Sequence, residues 1–235
     1  MFQRALDNNM TVFAMTEHMP RGDADLYPEE IEAGYDAAIL QRKFDEFVKE
    51  AVRLRERYYA TGSIEQGKGH DQAVARTPAS PLPHPSNQPR HPSATTTVLI
   101  GFEAEYIHPA TDASLITSLL TQHSPHLDFF LGSVHHVHTI PIDFDGPTYL
   151  RAIAACTPPT PRQLTLDYFT AQHSMLISLR PPIVAHFDLI RLLSETPDGD
   201  WRQDAEVWGA IVKNLEVVKG YGGVLEVNTL SLIHI

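Results

Sequence analysis

The chain has 235 residues, Lys+Arg 18 against Asp+Glu 29 for a formal net charge of −11, and 43% hydrophobic residues. That balance offers no basic footprint for nucleic acid or an anionic membrane surface, so neither is expected as a partner. Cys156 is the single cysteine and excludes an internal disulfide, while MFQRALDNNM at the N-terminus lacks the apolar centre of a signal peptide. No apolar run approaches the roughly 18 residues of a membrane span, and a cytoplasmic protein with one barrel-sized core is expected.

In chain order, FQRALDNNM reads as a first helix, TVFAM (11–15) as a strand, and residues 31–59 as one long amphipathic helix with Phe44, Phe47, Val48, Val52 and Leu54 near helical spacing. Residues 61–96 break the pattern, with Pro78, Pro81, Pro83, Pro85, Pro89 and Pro92 and almost no large apolar side chain. Such a segment buries too little surface to offset its ordering entropy, so it is expected to be a disordered insertion in which His70, His84 and His91 are solvated. Beyond it, strands are expected at 97–101, 127–131, 183–185 and 223–227, with helices at 113–122, 165–179 and 201–220. Apolar runs alternating with helical stretches signal βα units and a parallel sheet, hence an α/β fold.

The residues that close the runs carry the chemistry. TVFAM leads into Thr16-Glu17-His18, TVLIG into Phe102-Glu103-Ala104-Glu105, DFFLGSV into His135-His136, and PPIVA into His186-Phe187-Asp188, while GVLEV contains Glu226 and precedes Asn228. In a parallel barrel those strand ends converge on one face, where the active sites of such barrels lie. Taken singly, a strand-end histidine or carboxylate is more often a satisfied core residue or a helix cap than a ligand. Together His18, Glu103, His135 and His186 form a cysteine-free donor set suited to catalytic zinc, manganese or iron. Glu17 and Asp188 are placed to orient the neighbouring imidazoles through their second ring nitrogen. Arg21 and Arg191 follow two of the motifs and could grip an anionic substrate, with a surface salt bridge as the plain alternative for each. His136 is expected to point away from His135, and His123, His126 and His138 to be solvated in loops.

The strings AMTEHMPR (14–21), LIGFEAEYI (99–107), FFLGSVHHVHTIPIDFD (129–145), IVAHFDLIR (183–191) and GVLEVNT (223–229) resemble the PHP (polymerase and histidinol phosphatase) superfamily, and within it the fungal-type histidinol-phosphatases. The resemblance implies a distorted seven-stranded (β/α) barrel and three divalent metal ions. Its implied reaction is hydrolysis of the small phosphate ester L-histidinol phosphate to L-histidinol and phosphate, a step of histidine biosynthesis. It implies that His18 binds a peripheral metal, that Glu103 bridges two metals, that His135 and His186 bind the second of that pair, and that Arg191 contacts phosphate. Glu103, His135 and His186 are then the catalytic set. The family also has a His-x-His motif on its first strand and an Asp-x-His motif near its last, and neither stands at those positions here. The barrel is therefore expected to occupy 1–229 without its first strand and last βα units, interrupted by 61–96, and to show weak activity or none. The final LSLIHI (230–235) matches the translation of a sequencing adapter and is expected to be a non-native tail, His234 included. Two alternatives stand beside this reading: a phosphoesterase of the same family with another small phosphorylated substrate, and a non-catalytic metal-binding fragment.

Overall fold

The computed structural model describes residues 2–8, 10–65 and 96–227. Most of the expected 61–96 insertion, Asn228 and the 230–235 tail lie outside the described residues. Helix α1 (Phe2–Asp7) leads into β1 (Val12–Met15), followed by α2 (Pro28–Glu32) and α3 (Ala37–Glu65). Then come β2 (Thr97–Glu105), α4 (Pro109–Gln122), β3 (Phe129–Ser133), a hairpin of β4 (His136–Val137) and β5 (Ile140–Pro141), α5 (Gly146–Ala155) and α6 (Pro161–Leu179). Strand β6 (Ile183–Val184), α7 (Ala205–Tyr221) and β7 (Val224–Leu225) complete the order. Among the described residues no helix is long and apolar enough to cross a membrane.

Five strands form one parallel sheet in the order β1-β2-β3-β6-β7, curled as half of a barrel. Registers such as Met15↔Ile100, Glu103↔Leu131, Leu131↔Ile183 and Val184↔Leu225 bring all their C-terminal ends to one rim. Strand β2 shows how the sheet divides its residues. Phe102 and Ala104 point to a core shared with Phe44 and Val48 of α3 and Ile116 and Leu119 of α4, so by the two-residue period Glu103 and Glu105 share the opposite, concave face. A larger core packs α5, α6 and α7 through Tyr149, Tyr168, Phe169, Met175 and Ile211 against Val184 and the hairpin residue Val137. At Gly132 on β3 an added Cβ would lie 2.6 Å from the Pro181 ring, so glycine is what lets the turn before β6 approach the sheet.

The differences from expectation have local causes. The 31–59 helix is two helices, because Gly34 takes φ +69 after α2 and the Asp36 carboxylate then caps α3 by accepting the Ile39 N–H at 2.7 Å. Helix α7 begins at Ala205, since Asp204 accepts the N–H groups of Glu206 and Val207; Trp201–Gln203 is a separate 3-10 turn. Strand β2 runs on to Glu105, and β3 is shifted two residues beyond the expected 127–131. Helix α5, capped by Asp145 through the Thr148 N–H at 2.7 Å, was not anticipated.

Candidate metal centre

Four of the expected residues meet at the C-terminal rim. Glu103 projects from β2, and its Oε1 accepts hydrogen bonds from His135 Nε2 and His186 Nε2, each at 2.8 Å. His135 and His186 each stand two positions past the end of their strand, β3 and β6, so adjacent strands deliver both rings, with centroids 4.7 Å apart. His18 reaches the same carboxylate from the other side. The chain after β1 continues beside β2, with the Glu103 N–H donating to Glu17 O and the Met19 N–H donating to Glu103 O, both at 2.9 Å. That pairing sets His18 Nε2 4.0 Å from Glu103 Oε2. One carboxylate oxygen therefore faces two histidines and the other oxygen a third, the arrangement a carboxylate shared by two cations requires.

Carboxylates that the sequence reading did not assign hold the rings. Asp143, just past β5, accepts from His135 Nδ1 at 2.7 Å. Glu105 accepts from His18 Nδ1 at 3.0 Å. A ligating imidazole is fixed in ring orientation and tautomer by such a partner on its second nitrogen. Glu226, beside β7, accepts the backbone N–H of His186 at 3.0 Å, where His186 takes φ +24. His186 Nδ1 is buried without a partner among the described residues.

The electrostatics follow from carboxylates and imidazoles packed together out of water. Burial works against charge on Glu103, yet the hydrogen bonds from His135 and His186 keep its carboxyl well below the usual range. Burial would likewise lower His135, but Asp143 and Glu103 push it up to about 10. Glu105, opposed again by burial, is drawn down to about 2 by His18, His135 and Arg21. Imidazole nitrogens converging on an ionised carboxylate, with second-nitrogen partners in place for His135 and His18, fit divalent ions of the zinc, manganese or iron type. His18, Glu103 and His135 each offer a ligand atom, all within 4.8 Å of one another.

Other expected residues are placed differently. Glu17 accepts the backbone N–H of His18, not its ring. Asp188 turns to Arg191, its Oδ2 3.7 Å from Arg191 Nε. Arg21 does not face an open anion site: its side chain is 4% exposed, bound to Glu105 and Glu30, and stacked over the Tyr27 ring. Arg191 donates to the carbonyls of Pro197 and Gly199 at 2.5 and 2.9 Å and lies 3.4 Å over the Trp201 ring. His136 is buried beside the Tyr27 ring, where burial holds its imidazole below the usual range although Glu105 acts on it from nearby. His123 is not solvated, since its ring packs edge-on against Phe44 and sits 3.1 Å from Asp45. His126 is exposed, and His138 is half-exposed and bound to Asp167. The sequence did carry a signal for Glu105, which stands two residues from Glu103 on one strand and so must share its face. Asp143 had no local signal, because it reaches His135 only once the hairpin folds back.

Comparison with known proteins places the chain in a family. The chain is 34% identical over 229 residues to "Probable histidinol-phosphatase" of Schizosaccharomyces pombe, covering 97% of this chain and 62% of that protein. It is 27% identical over 249 residues to "Histidinol-phosphatase" of Saccharomyces cerevisiae, covering 95% of this chain and 65% of the relative. The chain thus spans a little under two thirds of the length of each. The PHP domain model matches residues 1–230, and the chain belongs to that family.

Proposed function

We propose that the chain carries the metal-holding part of a phosphomonoester hydrolase whose substrate is L-histidinol phosphate. The observation that carries the reading is the Glu103 carboxylate, with His135 and His186 on one oxygen and His18 facing the other. Glu103 would join two divalent cations, His135 and His186 would hold one of them, and His18 the other. When bound, such ions supply charge neutralisation at the phosphoryl oxygens and activation of the attacking water. The chain's own residues provide positioning. Asp143 and Glu105 hold the His135 and His18 rings so that their Nε2 atoms face the cluster, and Glu226 fixes the backbone of His186. Rigid strand ends keep this geometry with little reorganisation. The substrate assignment is supported by the names of the two relatives and by the PHP domain match.

The test is phosphate release by the chain incubated with Mn²⁺ or Zn²⁺, comparing L-histidinol phosphate with p-nitrophenyl phosphate and glycerol phosphate. The ratio between substrates decides. A marked preference for L-histidinol phosphate that Glu103→Gln abolishes is expected. Equal turnover of all three would replace this substrate by a broader phosphoesterase, and metal stoichiometry unchanged by Glu103→Gln would overturn the site.

A further inference from the structure

A second group of metal-type donors lies outside the Glu103 cluster. His138 comes from the β4–β5 turn, Cys156 from the C-terminal end of α5, and Asp167 from the second turn of α6. Each offers a ligand atom, and the three atoms lie within 4.8 Å of one another. His138 Nε2 meets Asp167 Oδ2 at 2.8 Å, and Gln163 Nε2 holds the other Asp167 oxygen at 2.8 Å. Cys156 is 4% exposed and its thiol donates to Ala152 O at 3.3 Å. The His138 side chain is 42% exposed, so one side of the group is open to water.

We propose that His138, Cys156 and Asp167 bind one divalent cation of the zinc class, pinning the β4–β5 hairpin to helices α5 and α6. Thiolate, imidazole and carboxylate form a borderline-soft donor set that zinc and cobalt accept and that magnesium and calcium do not. Ordinary zinc–ligand bond lengths in a tetrahedron place donor atoms roughly 3.3–3.6 Å apart. The His138–Asp167 contact therefore opens by about half an ångström, and water takes the fourth position on the exposed side. The cation replaces the imidazole proton shared with Asp167 and the thiol proton. Burial and Asp167 push the Cys156 thiol up to about 11, so without metal it is a protonated, unreactive group and not a nucleophile.

The pinned hairpin is the one that matters for the first site. His135 precedes it and Asp143 follows it, so the His135–Asp143 contact depends on how the hairpin is seated. His138 and Thr139 at its tip hold φ of 54 and 61, left-handed backbone that non-glycine residues rarely adopt. A cation bound to His138 would hold the turn in that conformation.

Cys156 is the only cysteine of the chain, which gives the proposal a selective readout. The full chain is titrated with Co²⁺ and followed by absorption spectroscopy. A thiolate-to-cobalt charge-transfer band in the near ultraviolet can arise only at Cys156, because the Glu103 cluster holds nitrogen and oxygen donors alone. The expected result is that band at saturation, its loss in Cys156→Ser together with one equivalent of bound metal, and persistence there of the visible bands from the Glu103 cluster. Serine keeps a hydroxyl for Ala152 O, and circular dichroism confirms the fold. His138→Ala and Asp167→Asn are each expected to weaken the binding that produces the band by tenfold or more. Absence of the band at saturating Co²⁺, or a band whose affinity neither substitution changes, would overturn the proposal.

Discussion

Glu105→Ala offers a sharp test of how the site is supported. The Glu105 side chain is fully enclosed and accepts from Arg21, from His18 Nδ1 at 3.0 Å and from Tyr27 Oη at 3.1 Å. Arg21 is 4% exposed at its side chain, so removing Glu105 leaves a guanidinium in a poorly hydrated place. Breaking a buried pair on one side costs about 3–5 kcal/mol. Arg21 retains Glu30 at 2.5 Å and Asp25 O at 3.2 Å, which selects the lower end, about 3 kcal/mol. The Tyr27 hydroxyl loses an acceptor and adds about 1 kcal/mol, whereas His18, nearly half exposed, finds water. Urea unfolding of the chelator-treated protein measures this without ligand linkage. With a slope near about 2 kcal/mol/M, the midpoint should fall by about 1.5–2 M. The double variant Arg21→Met with Glu105→Leu removes both charges at similar volume and should recover most of the loss. A single-variant cost below about 1 kcal/mol, or a double variant as unstable as the sum of the two singles, would refute the view that Glu105 is held in a buried ion pair.

Asp143→Asn is expected to lower affinity for Mn²⁺ or Zn²⁺ by about 10–100-fold in an equilibrium titration, and also to lower the urea midpoint of the chelator-treated protein, since the buried His135 imidazolium loses its 2.7 Å partner. Gly132→Ala should destabilise the metal-free protein by about 1–3 kcal/mol, because the new methyl meets the Pro181 ring at 2.6 Å. Phe44→Ala, beneath β2 and 1% exposed, should cost about 3–5 kcal/mol in the same assay. The insertion expected at 61–96 overlaps helix α3, which runs on to Glu65; we propose that its remainder, 66–95, is dispensable, so a short Gly/Ser linker in its place should leave thermal stability and metal binding within error, and a large loss of either would show that the segment packs on the sheet.

The parts legible in the sequence were those whose cause is local. Apolar runs located all five strands of the sheet because branched and aromatic side chains favour extended backbone, even where, as in β1 and β7, the strand is left partly exposed. Their terminal His18, Glu103, His135 and His186 were legible for the same reason, since a strand of known direction fixes which end a residue occupies. Helix ends were set by single residues such as Gly34, Asp36 and Asp204, whose capping outweighed the apolar periodicity that ran past them. Asp143 was hidden because eight residues and a reversed hairpin separate it from His135. Glu17 and Asp188 looked better placed only because sequence adjacency was mistaken for proximity to a ring.

Arg21 carries the more general lesson about charge. An arginine behind a metal-type motif reads as a grip for an anionic substrate, yet Arg21 is turned inward onto Glu105 and Glu30. The reason lies in the site's own balance. Glu103, Glu105 and Asp143 lie in linked contact around His18 and His135, in a chain of net charge −11. Carboxylates packed that closely and shielded from water repel one another unless cations sit among them. Arg21 supplies one permanent cation to Glu105, and the His18 and His135 imidazoles, both shifted upward, act on the same carboxylates. Divalent ions entering at the Glu103 side would displace imidazole protons but not the arginine. Together with His18 and His135, the guanidinium keeps the buried Glu105 ionised, and on the proposed reading this would leave His18 and Glu103 to a cation while holding Arg21 away from substrate.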